Sequence, residues 1–326
     1  MTTNDLHNGW YLLALVEELT ETITPVRIGH RRLMLLRLAD EVVFADAVCP
    51  HRGADLSGGT LLRTKRGNDV VACPFHARSF RVGSLTRYPV MEKGGMIFGR
   101  LTDSDSGDRG LAALLGELLQ GDVHSAVHTT VSAEPRLIPE NAFDIHHFAP
   151  VHGVPLVMNA RTRKDDAGAC HIHATFRTGT DPFAQEARDD DPAELVAAVR
   201  GGADSQDSEF HAVAVSPSLV LTRYGSTPDD PLVVTGVLPL PEGGCAVRVA
   251  ISANLPQEKL QHAVAGAERA FQQDIPVWEG LTPGCDHLDV LDGTVRAFRQ
   301  FCAGFQTIPP VAGDTSCAGA TSGEGK

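Results

Sequence analysis

At 326 residues, 42% of them hydrophobic, the chain can bury an ample core and is long enough for two domains. Its formal net charge of −13 argues against nucleic acid and anionic membrane as partners, and no stretch approaches the ~20 apolar residues of a membrane span. Residues 1–8 carry neither a basic n-region nor an apolar h-region, and Cys170, Cys245, Cys285, Cys302 and Cys317 follow no disulfide framework, so the expectation is reduced thiols in a cytoplasmic chain.

From the N-terminus, residues 10 to about 110 alternate apolar and polar side chains between short turns. Residues 33–37, 42–44 and 70–72 predict strands of a small antiparallel β domain with two ligand loops at one tip. The first loop reads Cys49-Pro50-His51 and the second Cys73-Pro74-Phe75-His76, a C-x-H and a C-x-x-H across a 21-residue gap. A [2Fe–2S] cluster of the Rieske type needs that set, two thiolates on one iron and two neutral imidazoles on the other. A structural Cys₂His₂ zinc site uses the same ligand types, but zinc-finger spacing groups Cys with Cys and His with His, whereas each half here is mixed. Residues 63–69 read as a polar hairpin tip, with Gly67-Asn68 as the turn.

Residues 104–110 are polar and mark a boundary, 111–119 predict a short amphipathic helix, and 124–137 a strand. Then comes Pro139-Glu140-Asn141-Ala142-Phe143-Asp144-Ile145-His146-His147-Phe148-Ala149-Pro150-Val151-His152, a D-x-x-H-x-x-x-x-H pattern. As helix, it sets Asp144 and His147 on one face, turns His146 about 100° away, and is disrupted at Pro150, so that His152 lies beyond a bend. Two histidines with a distant carboxylate form the facial triad of a non-haem Fe(II) centre, which leaves coordination positions open. Residues 171–177, 212–224, 232–239 and 246–253 predict one larger antiparallel sheet, covered by helices at 257–273 and 294–305, an α+β arrangement. Between them, 181–209 holds nine acidic residues against two basic ones and reads as a solvated insertion or a lid over the substrate mouth. Residues 312–326 are small and polar and predict a disordered tail. For the third iron ligand the residues leave several carboxylates open: Glu268, Asp274, Glu279, Asp286, Asp289 and Asp292. An Asp close to Pro276 reads by itself as a turn or cap.

With these motifs in view, the chain resembles the oxygenase component of the Rieske non-haem iron oxygenases over most of its length. The resemblance rests on Asn8-Gly9-Trp10-Tyr11, Arg32-Leu33-Met34-Leu35-Leu36-Arg37, Cys49-Pro50-His51-Arg52-Gly53-Ala54-Asp55-Leu56 and the D-x-x-H-x-x-x-x-H pattern. It extends to Gln273-Asp274-Ile275-Pro276-Val277-Trp278-Glu279, Asp292-Gly293 and Phe298-Arg299-Gln300-Phe301. That C-terminal pattern is nearest to the 3-ketosteroid 9α-hydroxylase and cholesterol 7-desaturase branch. The resemblance implies a Rieske [2Fe–2S] domain over 1–115 and a mononuclear iron catalytic domain over 116–311. It implies a cluster on Cys49, His51, Cys73 and His76, and Fe(II) on His147, His152 and Asp274. Asp144 would bridge a cluster histidine and an iron histidine across a head-to-tail homotrimer. The implied activity is O₂-dependent hydroxylation or desaturation of a hydrophobic, polycyclic or steroid-like small molecule. Aromatic-ether O-demethylation, natural-product tailoring and, from another class, a Rieske electron carrier are the alternatives. No G-x-G-x-x-G follows a strand and no ferredoxin cysteine run occurs, so electrons must come from a separate NAD(P)H-dependent reductase, with or without a ferredoxin. Two departures stand out: the insertion at 63–69, and Ala77-Arg78 where the family commonly has Gly-Trp.

Overall fold

The computed structural model describes residues 6–153, 156–179, 205–225, 227, 230–282 and 284–309. The expected acidic insertion lies mostly, and the expected tail wholly, outside those residues.

β1 (Leu6–His7), β2 (Tyr11–Leu15), β3 (Ile23–Ile28), β4 (Arg31–Arg37) and β5 (Val42–Asp46) precede the first cysteine loop. β6 (Thr60–Arg63) and β7 (Asp69–Ala72) lie between the loops; β8 (Ser79–Arg81), β9 (Arg87–Tyr88), β10 (Val90–Lys93) and β11 (Met96–Gly99) follow the second. They pair antiparallel as β3-β4-β5-β9, β6-β7-β8 and β10-β11-β2. β4 is apolar on both faces because it is central. Leu33 and Leu35 pack with Tyr11, Phe44 and Ile97 on one side, while Met34 and Leu36 join Val43, Val71 and the two ligand-loop cysteines on the other. The strands expected at 33–37, 42–44 and 70–72 fall within β4, β5 and β7. The expected hairpin tip closes β6 to β7, with Thr64 N–H donating to Asn68 O at 2.9 Å and Gly67 at φ +79°.

After α1 (Leu111–Leu118) the chain enters β12 (Asp122–Val131), then α2 (Leu137–Glu140) and α3 (Phe148–His152). β13 (Leu156–Lys164), β14 (Cys170–Gly179), β15 (Ser205–Ser216), β16 (Leu219–Tyr224), β17 (Leu232–Pro239) and β18 (Cys245–Ala253) follow. α4 (Gln257–Gly280), α5 (Gly293–Cys302) and β19 (Thr307–Ile308) complete it. The expected larger sheet has seven strands in the order β12-β18-β17-β16-β15-β14-β13, and β19 returns to pair with β1. Its strands alternate sides with period two. Ile172, Phe176, Phe210 and Ala212 pack against Phe143, Phe148 and Phe298, whereas Val213, Val215 and Leu221 pack against Leu12, Phe98 and Leu111. Antiparallel sheets with few helices make this the α+β class expected.

Several boundaries differ for physical reasons. The strand expected at 124–137 ends at Val131, because Pro135 cannot donate to a ladder and 137–140 coil into α2. The run at 212–224 is two strands turned at Pro217-Ser218. The helix expected to end at Gln273 continues through Pro276 to Gly280. Proline there removes one hydrogen bond to the carbonyl of Gln272, an exposed residue. β13, an edge strand rich in Arg and Lys, has no apolar alternation to announce it.

Candidate metal centres

The two cysteine loops fold alike. Cys49 N–H donates to Ala54 O and Gly53 N–H to Cys49 O, both at 2.8 Å. In the second loop Cys73 N–H donates to Arg78 O and Ala77 N–H to Cys73 O, both at 2.9 Å. The fourth residue after each cysteine is left-handed: Gly53 at φ +69° and Ala77 at φ +56°. Glycine occupies that position in the first loop without strain, and alanine in the second with it. Both thiols are buried, His51 is half-buried and His76 exposed, with the imidazole rings 4.9 Å apart. The Phe75 N–H, followed by His76 N–H and the Cys49 thiol, holds the Cys73 thiol below its usual range against the opposing effect of burial. Burial, then Arg78 and His76, keep His51 low and neutral. Both shifts are toward the ligating forms, thiolate and neutral imidazole. The donor set, sulfur inside and imidazole outside, fits a [2Fe–2S] group with one iron on each side. No three of the four residues bring their ligand atoms within 4.8 Å of one another, as a single zinc ion would need.

The second centre does close to single-ion dimensions. The ligand atoms of His147, His152 and Asp274 all lie within 4.8 Å of one another. His152 Nε2 stands 3.2 Å from His147 Nε2 and 3.3 Å from Asp274 Oδ1. Each imidazole is anchored by its other nitrogen: His147 Nδ1 meets the Asp144 carbonyl in a short contact, and His152 Nδ1 meets Gln273 Oε1 at 3.0 Å. An Nδ1–H committed to an acceptor leaves Nε2 with its lone pair toward the carboxylate, the tautomer a metal takes. Burial lowers the His147 pKa. Burial also acts against the charged form of His152, but Asp274 and Gln273 outweigh it and the pKa ends above the ordinary value.

The helical expectation for this motif is corrected in detail. Asp144 and His147 do not share a helix: a 3-10 turn over Asn141–Phe143 ends at Asp144, and His147 caps α3. Pro150 does not disrupt α3, because it sits in the first turn, where a missing N–H costs nothing. His146 turns outward to the Leu291 carbonyl at 3.3 Å. The Asp144 carboxylate accepts from His146 N–H at 3.1 Å, so its carbonyl and not its side chain meets His147.

Asp274 is the carboxylate brought to the histidines. The others are engaged or turned away: Glu279 accepts from Ser132 N–H, Asp286 pairs with Arg299, Asp289 and Asp292 cap their own loop, and Glu268 is exposed. Two further residues carry no sequence signal. Asn141 Nδ2 lies 2.9 Å from Asp274 Oδ2 and 3.0 Å from His147 Nε2. Glu140, one residue earlier, is buried and takes a two-pronged contact from Arg299, both distances 2.7 Å, which ties α5 to the turn carrying Asn141 and Asp144. Beside the centre opens a cavity lined by Phe148, Phe176, Val233, Val249 and Phe271, with hydroxyls from Thr222, Tyr224 and Thr235. A second cavity, lined among others by Asp144, Asp292 and Arg299, adjoins it, and His147 and Asp274 line both.

Two family models match this chain. Residues 9–99 match the Rieske [2Fe–2S] domain, and residues 131–297, just over half of the chain, match the vanillate O-demethylase oxygenase C-terminal domain. The chain belongs to the Rieske oxygenase family, as a Rieske domain joined to a C-terminal domain of the vanillate O-demethylase type. The dicamba O-demethylase oxygenase component of Stenotrophomonas maltophilia is 29% identical over 170 residues, 45% of this chain and 48% of that protein. Cholesterol 7-desaturase nvd of Xenopus laevis is 30% identical over 168 residues, 44% of this chain and 36% of that protein. The matches thus span about half, or less, of these relatives' length. Among solved structures, apo dicamba monooxygenase superposes with a TM-score of 0.64 at 20% identity, covering 91% of this chain and 96% of that one. NdmA of Pseudomonas putida CBB5 gives 0.64 at 16%, covering 91% and 89%. At such identities the likeness is one of fold. No helix among the described residues is long and apolar enough to cross a membrane.

Proposed function

We propose that the chain is the oxygenase component of a Rieske system, oxidising a hydrophobic small molecule with O₂. In this reading a cluster-bearing unit over 1–115 holds the [2Fe–2S] group on Cys49, His51, Cys73 and His76, and a unit over 116–311 holds Fe(II) on His147, His152 and Asp274. The observation that carries it is the convergence of two histidines and one carboxylate beside an apolar cavity, in a chain with a Rieske domain. When bound, the cluster supplies single electrons and the iron supplies O₂ activation at its open positions.

The chain's own residues set the conditions. The Asp144 carbonyl and Gln273 fix both imidazole tautomers, and Asn141 holds one carboxylate oxygen of Asp274. Phe148, Phe176, Val233 and Phe271 exclude water and favour an apolar, polycyclic or steroid-like substrate. Hydroxylation and desaturation both begin at a C–H bond held there. A second reading, removal of a methyl group from an aryl ether, is supported by the vanillate O-demethylase-type match and the dicamba O-demethylase relative. Tailoring of a polycyclic natural product fits the same cavity. Electrons come from a separate NAD(P)H-dependent reductase, with or without a ferredoxin. Chains assemble as a head-to-tail homotrimer in which Asp144, lining the second cavity, receives a neighbour's cluster histidine. The unpaired cysteines among the described residues agree with a cytoplasmic setting.

The test supplies the purified protein with a surrogate reductase and a panel of sterols, 3-ketosteroids and aryl ethers. Product mass separates gain of oxygen, loss of two hydrogens and loss of a methylene. Metal analysis should find one iron beyond the complement of the [2Fe–2S] cluster. His147→Ala, His152→Ala and Asp274→Ala should each end turnover while leaving the cluster spectrum intact. Full activity in Asp274→Ala, with loss in Asp289→Ala or Asp292→Ala, would refute the ligand set.

A further inference from the structure

We propose that His171, His173 and His211 form a third metal site, for one divalent transition-metal ion, on the face of the large sheet opposite His147, His152 and Asp274. It stands independently of the oxygenase reading. On β14, His171 and His173 are two residues apart and so share a face. The register sets His173 directly across from His211 on β15. The neighbouring residues Ile172, Phe176, Phe210 and Ala212 point the other way, into the core that holds Phe148 of α3. The ligand atoms of the three histidines all lie within 4.8 Å of one another. His171 Nδ1 and His211 Nε2 are already 3.0 Å apart. Two nitrogens bound tetrahedrally at about 2.0–2.1 Å would stand roughly 3.4 Å apart, so the pair needs to open by a few tenths of an ångström.

The surroundings complete the case. Asp165 Oδ2 lies 3.0 Å from His171 Nε2, and Asp165 Oδ1 accepts from Ala169 N–H at 2.8 Å within the β13–β14 turn. Asp165 therefore takes the Nε2–H of His171 and leaves Nδ1 with its lone pair toward His211. This is the carboxylate–histidine–metal arrangement that raises ligand basicity. His171 is 4% exposed, His211 is half-buried, and His173 is exposed. The His173 ring lies parallel to that of His211 with centroids 4.0 Å apart. Being exposed, it can turn its nitrogen onto an ion and leave the fourth position to water. Burial, then His173 and His171, then Arg163 and Arg223, keep the His211 pKa at about 3, so it is in the neutral ligating form. The two arginines oppose any cation here, so one would be held by nitrogen coordination and not by charge. Calcium and magnesium want oxygens, whereas imidazoles select zinc, copper or nickel.

The test is equilibrium dialysis of the holoprotein against micromolar zinc chloride, with zinc, iron and acid-labile sulfide measured together. Wild type should bind one zinc per chain without losing iron. His173→Gln, at an exposed position, should weaken zinc binding at least tenfold with iron and sulfide unchanged. Asp165→Asn, a change in a positioning residue, should weaken it about 10–100-fold. Zinc-edge X-ray absorption should show nitrogen neighbours at about 2.0 Å and no sulfur. Zinc binding by His173→Gln equal to wild type, no zinc retained by wild type, zinc gained only as iron is lost, or sulfur in the zinc shell would each overturn the site.

Discussion

Asn141 donates to Asp274 Oδ2 at 2.9 Å, a side-chain hydrogen bond between residues 133 positions apart. It fixes one carboxylate oxygen and leaves Oδ1, 3.3 Å from His152 Nε2, for the metal. Asn141→Ala should release that orientation and weaken iron retention about 10–100-fold, as loss of a ligand's supporting partner does. Iron per chain after gel filtration with a mild chelator measures this, and the cluster absorbance should not change.

Arg299 and Glu140 make the contact that holds Asn141 in position. The Glu140 side chain is 8% exposed and that of Arg299 22%. Arg299→Met removes both 2.7 Å contacts and leaves the buried carboxylate only its 3.4 Å partner Arg136, so it should cost about 1–3 kcal/mol in unfolding free energy, read by denaturant titration. Arg299 foremost, with Arg136, also holds the Asp286 carboxyl below the usual carboxylate range. A depressed folded-state pKa gives stability that is present above the unfolded pKa and lost as pH falls through the folded value. The wild type should therefore lose stability on acidification through that window. The variant should lose less of it, because it lacks the contribution already at neutral pH.

Ala77 carries the left-handed strain that Gly53 avoids at the matching place in the other cysteine loop. Ala77→Gly removes a penalty of about 1–2 kcal/mol and adds unfolded-state entropy of about 0.4–1 kcal/mol. The net expectation is a gain of about 0.5–1 kcal/mol, seen as a higher Tm for loss of the cluster chromophore. A lower Tm would show that the backbone at Ala77 is held for another reason.

Asp144 tests assembly. Asp144→Asn keeps the side-chain size and removes the charge, so both metal centres should persist while turnover falls steeply. Inactive His76→Ala chains co-assembled with inactive His147→Ala chains should regain part of the activity, since an intact cluster can then face an intact iron across an interface. Verified mixed oligomers without recovery would leave only a path within one chain.

The proposed ligand residues are legible in the sequence because coordination fixes both residue type and local spacing: Cys49 with His51, Cys73 with His76, His147 with His152. Asp274 is legible only through family pattern, since its neighbours Glu279 and Asp286 offer the same chemistry until the fold assigns them other partners. The roles of Asn141 and Glu140 are silent because an amide and a carboxylate have many uses, and theirs here depend on contacts spanning most of the second half of the chain. The histidine trio is silent for another reason. His173 and His211 meet only through strand register, which alternation alone does not determine. Helix ends are misjudged where proline is read as a stop: Pro150 starts a helix and Pro276 is carried inside one.

α4 carries both the proposed metal-binding carboxylate and much of the cavity wall: Gly266, Ala267, Ala270 and Phe271 line the cavity, and Asp274 follows one turn on. A helix transmits displacement along its length, so a guest that pushes on Ala267 also moves the carboxylate. Pocket volume and coordination geometry are thus mechanically coupled. Enlarging the pocket from the strand side, at Val233 or Val249, would reshape what fits while leaving the rod in place; substitutions along α4 would change selectivity and metal retention together.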